Sequence, residues 1–136
     1  MRDTQYDLTA LEALGAELGR SWPSGSVIWL EGPLGAGKTT LARAIAAGRG
    51  IVGDATSPTY ALVHHYEGPR GAIYHLDCYR LRHPEEAADL DWETLAAADL
   101  LLIEWPARAG AWAPAATHQV RLAHGDDGDL RTVAVI

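Results

Sequence analysis

The sequence predicts an α/β fold, with a mixed, partly parallel sheet flanked by helices. Three observations carry that expectation. Val27-Ile28-Trp29-Leu30-Glu31 is a strand-like run that passes directly into a glycine-rich turn and then a helical pattern. Leu100-Leu101-Leu102-Ile103-Glu104 is apolar up to one closing carboxylate, as suits a central strand covered on both faces. The runs Ala61 to Tyr66 and Ala72 to Asp77 flank a turn at Gly68-Pro69-Arg70-Gly71, the pattern of a hairpin. Strands and helices interleaved in this way define the α/β class.

Each element follows from local chemistry. Thr9 and Glu12 form a capping-box pair, and Leu11, Leu14 and Leu18 repeat at helical spacing, so a helix is expected from Thr9 to Arg20. Pro23-Ser24-Gly25 turns the chain into the strand Val27 to Glu31. A second helix is expected from Lys38 to Ala47, with Leu41, Ile45 and alanines inward and Gly48 and Gly50 ending it. After the hairpin, Pro84 with Glu85 and Glu86 marks a helix start, because proline suits the first turn and acids complement the dipole. Pro106 to Trp112 suits a short helix. Val120 and Leu122 alternate with polar residues, and a turn at Gly125-Asp126-Asp127-Gly128 leads to a last strand, Thr132 to Ile136.

Composition bounds the function. The 136 residues suit one domain spanning 1–136. A net charge of −7 with no basic run argues against direct, charge-driven binding of nucleic acid. Cys78 is the one cysteine, so no intrachain disulfide can form, and a reducing compartment is expected. The first seven residues are polar and lack the apolar stretch of a signal peptide. No run of about 18 apolar residues marks a membrane span. The expected location is cytoplasmic.

Gly32-Pro33-Leu34-Gly35-Ala36-Gly37-Lys38-Thr39 matches the phosphate-loop pattern, with the required strand before and helix after. Glycines let the backbone wrap and turn its N–H groups inward, and the helix N-terminus adds a positive dipole end. Lys38 is the only lysine in a chain that otherwise uses arginine for positive charge. As a compact point charge it suits the β- and γ-phosphates, and the Thr39 hydroxyl suits Mg²⁺. The fold class is thus a single P-loop NTPase-like domain.

Mg²⁺ bound with phosphates commonly takes one or two carboxylates. Ligands of α/β sheets sit beyond the carboxyl ends of strands, which selects Glu104 as the acid of a Walker B-like strand, on the metal through water or positioning the attacking water. Asp77 ends a hairpin strand, and either a second metal ligand or an ion pair with Arg80 fits it. His64 and His65 are expected on opposite sheet faces, one packed and one solvated. The six histidines show no zinc spacing. Ser57-Pro58-Thr59-Tyr60 fits either a γ-phosphate-sensing loop or an ordinary turn. Trp105 fits a cover over the site, a partner contact or a core residue.

The strings Gly32 to Thr40, Ser57-Pro58-Thr59-Tyr60, Tyr74-His75-Leu76-Asp77-Cys78-Tyr79-Arg80-Leu81 and Ile103-Glu104-Trp105-Pro106 stand in the order and spacing of one family. They resemble TsaE (formerly the YjeE family), small bacterial ATPases of tRNA threonylcarbamoyladenosine biosynthesis. Pro84-Glu85-Glu86 also matches, and the likeness runs from Leu8 to the C-terminus. The resemblance implies ATP and Mg²⁺ as cofactors and ATP hydrolysis, and a site completed by partners should be slow alone. It implies TsaB and TsaD as partners, with tRNA reached only through them. Nucleotide binding falls to Gly32, Gly35, Ala36, Gly37, Lys38, Thr39 and Thr40. Thr39, Asp77 and Glu104 form the metal site, and Lys38, Asp77 and Glu104 are the catalytic set. Ser57 to Tyr60 becomes the switch-like loop. The departures are Tyr60 for a common phenylalanine, Cys78 for a common leucine, and Ala107 where an acid is common.

Three rivals stand beside this reading. A small-molecule kinase would need lids and an acceptor pocket, for which 136 residues leave little room. A GTPase would need an asparagine-bearing guanine signature, and the chain has no asparagine. A nucleotide-gated binding module with vestigial hydrolysis shares every motif above.

Overall fold

The computed structural model describes residues 4–52 and 63–136. Among them, seven strands form one sheet: β1 (Thr4–Tyr6), β2 (Ser26–Glu31), β3 (Val63–Gly68), β4 (Gly71–Asp77), β5 (Leu100–Glu104), β6 (His118–His124) and β7 (Arg131–Val135). Their order is β1-β7-β6-β2-β5-β4-β3. Strands β4, β5, β2 and β6 run parallel to their neighbours in that row, while β3–β4, β6–β7 and β1–β7 are antiparallel. The mixed, partly parallel sheet is therefore as expected.

Two helices, α1 (Leu8–Ser21) and α2 (Lys38–Gly48), cover one face. They approach to backbone contact. A Cβ on Gly48 would stand 2.1 Å from Ala16 O, and one on Gly19 would stand 2.1 Å from Ile45 O. Only glycine permits that distance. Leu11, Leu41 and Ile45 pack there on Ile28, Leu30, Leu100, Leu102, Val120, Leu122 and Val133. The other face is covered by 3₁₀ segments Pro84–Asp89 and Pro106–Trp112 and by a short helix, α3 (Trp92–Ala96). Leu81, Leu90, Leu95 and Ala109 pack there on Leu76, Leu101 and Ile103. All of β5 is buried, with alternate residues feeding the two cores, which explains its continuous apolar run.

Several expectations need correction. The α1 cap is Asp7, whose carboxylate accepts from Ala10 N–H at 2.8 Å, so Thr9 lies inside the helix instead of capping it. Strand β1 was not expected, because its residues are polar, and it exists through pairing with β7. The segment opened by Pro84 is a 3₁₀ helix that stops at Asp89, and Asp91 then caps α3. His64 and His65 are both half-buried, the latter stacked on Tyr74 at 4.7 Å, so neither is fully packed or fully solvated.

Away from the glycine-rich loop, Arg49 just past α2 meets Asp99 just before β5. Nε and Nη2 donate to the two carboxylate oxygens at 2.9 and 2.8 Å. Arg49 Nη1 donates to Gly19 O and Trp22 O, and Ser24 Oγ donates to Asp99. Both charged side chains are essentially without exposure. The Arg49 hydrogen bonds hold the Asp99 carboxyl below its ordinary value, against the opposing effect of burial.

Candidate nucleotide site

The site is assembled at the carboxyl ends of β2, β5 and β4. Strand β2 delivers Gly32, and the loop closes on α2, whose first residues are Lys38 and Thr39. Gly37 sits at φ 102°, a left-handed conformation that turns the chain into the helix and that glycine adopts without penalty. Lys38 Nζ donates to Gly32 O at 2.5 Å and Pro33 O at 2.9 Å, so the loop carbonyls hold the ammonium beneath the loop. Burial lowers the Lys38 pKa, while Glu104 and Asp77 pull it back up.

Glu104 ends β5 at 3% exposure. Its Oε2 lies 2.5 Å from His75 Nε2 and 3.1 Å from Thr39 Oγ1. Burial works to raise its pKa, but the His75 hydrogen bond and electrostatics, the Thr39 bond and Lys38 outweigh burial and hold it below the usual value. An ionised Glu104 only accepts, so His75 must carry its proton on Nε2. In-register pairing sets Asp77 on β4 beside Glu104 on β5. The Asp77 carboxylate accepts from Tyr79 N–H at 3.0 Å. Among the described residues no ion pair joins it to Arg80.

Trp105 follows Glu104 with φ 56° and ψ 50°, the one non-glycine residue with positive φ among those described. That turn reverses the chain after β5 and lays the indole 4.5 Å from Lys38 Nζ. Trp105 also meets Tyr79 at 5.2 Å, and Arg108 lies over both rings. Trp105 thus lies against the lysine, partly exposed, and also packs on the core of the second face.

An open cleft of about 300 Å³ joins these parts. Gly35, Gly37, Lys38, Thr39, Thr40, Asp77, Glu104 and Trp105 all line it, as do Leu34, Tyr79 and Arg131. Gly32 lies behind the loop as the Lys38 acceptor, and Ala36 is buried with its N–H donated to Pro33 O. Ser57, Pro58, Thr59 and Tyr60 lie outside the described residues. Cys78 is buried beside the site, and burial pushes its thiol up to about 12, so it is not a nucleophile near neutrality. His75 is the residue sequence reasoning missed. Its place two residues before Asp77, on the same strand face, was the available signal.

Such a cleft suits a polyphosphate: N–H groups and a lysine on one side, a hydroxyl and two carboxylates on the other. No cluster of three or more His, Cys, Asp or Glu able to hold a metal is present among the described residues. The donors therefore suit an ion shared with phosphates and water, as Mg²⁺ usually is, and do not suit an all-protein cage.

The comparisons agree with the geometry. The family described as "Threonylcarbamoyl adenosine biosynthesis protein TsaE" matches residues 6–133. The tRNA threonylcarbamoyladenosine biosynthesis protein TsaE of Nostoc sp. is 41% identical over 120 residues, 85% of this chain and 73% of that protein. The protein of the same name from Treponema pallidum is 37% identical over 116 residues, 85% of each chain. The crystal structure of Bacillus subtilis YdiB superposes with a TM-score of 0.74 at 25% identity, covering 97% of this chain and 83% of that one. A family match over nearly the whole chain and a phosphate loop set among family motifs lead to one conclusion: this chain belongs to the TsaE family of tRNA threonylcarbamoyladenosine biosynthesis.

Proposed function

We propose that this chain binds ATP with Mg²⁺ and hydrolyses it to support formation of threonylcarbamoyladenosine in tRNA, acting with TsaB and TsaD in the cytoplasm. The observation that carries this reading is the convergence of Lys38, Thr39, Asp77 and Glu104 on one cleft. Thr39, Asp77 and Glu104 would hold the Mg²⁺, which supplies charge neutralisation of the phosphates when bound. Lys38 holds the β- and γ-phosphate oxygens, Gly35 to Thr40 supply backbone donors, and Glu104 orients the attacking water. Ser57 to Tyr60 serve as the γ-phosphate-responsive loop. Residues 1–136 act as one domain, and no helix among the described residues is long and apolar enough to cross a membrane.

The test is Mg²⁺-dependent ATP hydrolysis, alone and with the TsaB–TsaD pair. A low rate alone, raised by the pair, is the expected result. A rate that ignores the pair but responds to a small-molecule acceptor would point to a kinase. If Glu104→Ala still binds the pair in ATP and still supports full tRNA modification, hydrolysis is vestigial.

A further inference from the structure

A second cleft, of about 580 Å³, opens at the opposite end of the sheet from the phosphate loop. It lies where β2, β4 and β5 begin, and the nucleotide cleft lies where they end. The length of β5, roughly 13 Å, separates the two. Small residues make the room. Gly25, Gly71, Ala72, Ala97 and Ala98 line it, and a Cβ on Gly25 would meet no atom within 4 Å. The volume falls in the range of small-molecule sites.

The polar groups of this cleft divide into committed and free. Asp99 is committed, because Arg49 donates to both of its oxygens and Ser24 Oγ donates to one of them. That bond uses the Ser24 hydroxyl proton. The Thr94 hydroxyl likewise donates to Asp91 at 2.7 Å. What remains is a pair of donors. Arg70, in the turn between β3 and β4, is exposed, and no hydrogen bond or ion pair among the described residues engages it. Its charge reaches Asp99 only through space. The Tyr74 ring stacks on His65, but its O–H has no partner among the described residues. Two free donors, one of them a cation, call for a ligand that accepts and carries negative charge. A guanidinium fork matches a carboxylate through two parallel hydrogen bonds, and the alanine wall suits an apolar body. Asp99 does not oppose such a ligand, since Arg49 answers its charge. We propose that this cleft binds a small organic carboxylate, with the carboxylate on Arg70 and the apolar body against Ala72, Ala97 and Ala98.

The test titrates the full chain with sodium benzoate, benzamide and inorganic phosphate, and follows the backbone amides by ¹⁵N NMR. Benzoate should shift the amides of Gly25, Gly71 and Ala98 to saturation. Benzamide has the body without the charge, and phosphate has charge without the body. Each should bind about tenfold more weakly or worse, the loss of a charge-assisted bond or of the apolar contact. Arg70→Ala should weaken benzoate by about as much, and Arg70→Lys, which lacks the fork, should recover only part. Ala97→Phe fills the cleft from an exposed position and should block benzoate with Arg70 intact. Spectral dispersion verifies that each variant folds. Benzoate that leaves those three amides unmoved overturns the proposal. So does benzamide or phosphate that binds them as tightly, or full benzoate affinity in Arg70→Ala. No nucleotide enters these titrations, so their outcome stands apart from the ATP reading.

Discussion

Replacing His75 with alanine removes the donor that holds the Glu104 carboxylate. Glu104 is 3% exposed, so bulk water does not freely replace the lost partner. Its Oε2 is left with only Thr39 Oγ1 at 3.1 Å, and the carboxylate is free to rotate off its present plane. A hydrogen bond to a charged group contributes about 1.5–3 kcal/mol. If Glu104 acts in the transition state, all of that appears in the rate, as roughly a tenfold to hundredfold loss of kcat. The KM for ATP, governed by the loop and Lys38, should stay near its original value. His75→Gln keeps an N–H donor at similar reach and should restore part of the rate. The assay is steady-state ATP hydrolysis in the presence of TsaB–TsaD, with circular dichroism to verify folding. An unchanged kcat in His75→Ala would refute the positioning argument. A raised KM with unchanged kcat would refute it too, by showing that His75 serves ground-state binding only.

Four further outcomes are expected. Lys38→Ala should abolish measurable ATP binding, and unaltered affinity by calorimetry would overturn the phosphate-loop assignment. Arg49→Ala strands a buried Asp99 carboxylate and should cost about 3–5 kcal/mol in urea unfolding, a cost that Arg49→Met with Asp99→Leu partly recovers. The sign of its pH dependence is set by Asp99, whose folded-state pKa lies below the ordinary 3.8. The Asp99 contribution is complete above that value and is lost as pH falls through the lowered one, so the stability gap between the unaltered chain and Asp99→Asn should close in acid and stay constant near neutrality. Gly48→Ala forces a methyl to within 2.1 Å of Ala16 O and should destabilise by about 1–3 kcal/mol, read as a lower urea midpoint.

How much of this was legible in the sequence depends on the range of the interaction. The phosphate loop is contiguous, and its strand and helix context is local, so Gly32 to Thr40 could be read directly. Strand β5 was legible because burial on both faces leaves an uninterrupted apolar run. Glu104 and Asp77 could be read as strand ends, although their adjacency is a matter of register, which only the pairing of β4 with β5 supplies. Strand β1 was hidden because Thr4 to Tyr6 have no pattern of their own and owe their conformation to β7. The α1 cap was misplaced because Thr9 and Glu12 match the capping-box pattern, whereas Asp7, two residues earlier, caps with its carboxylate alone by accepting from Ala10 N–H. His75 and Arg49 were illegible as partners because each meets an acid at least 29 residues away.

Two contacts at the ends of α2, Thr39 with Glu104 and Arg49 with Asp99, have a joint consequence for that helix. The helix runs back against β5, so its first turn lies by the end of that strand and its last turn by the beginning. At the first turn Thr39 donates to Glu104, and just past the last turn Arg49 pairs with Asp99. One helix is thus tied at both ends to one fully buried strand. Sliding α2 by a single residue would move it about 1.5 Å and break both ties together. The loop donors, Lys38 and the carboxylate at the strand end are therefore held in fixed relation by the scaffold, before any ligand contributes. Electrostatic catalysis of phosphoryl transfer depends on that kind of preorganisation, because donors already aimed at the developing charge need not reorganise during the reaction. The Arg49–Asp99 pair lies beyond the chemistry, yet on this argument it helps set the spacing between Thr39 and Glu104.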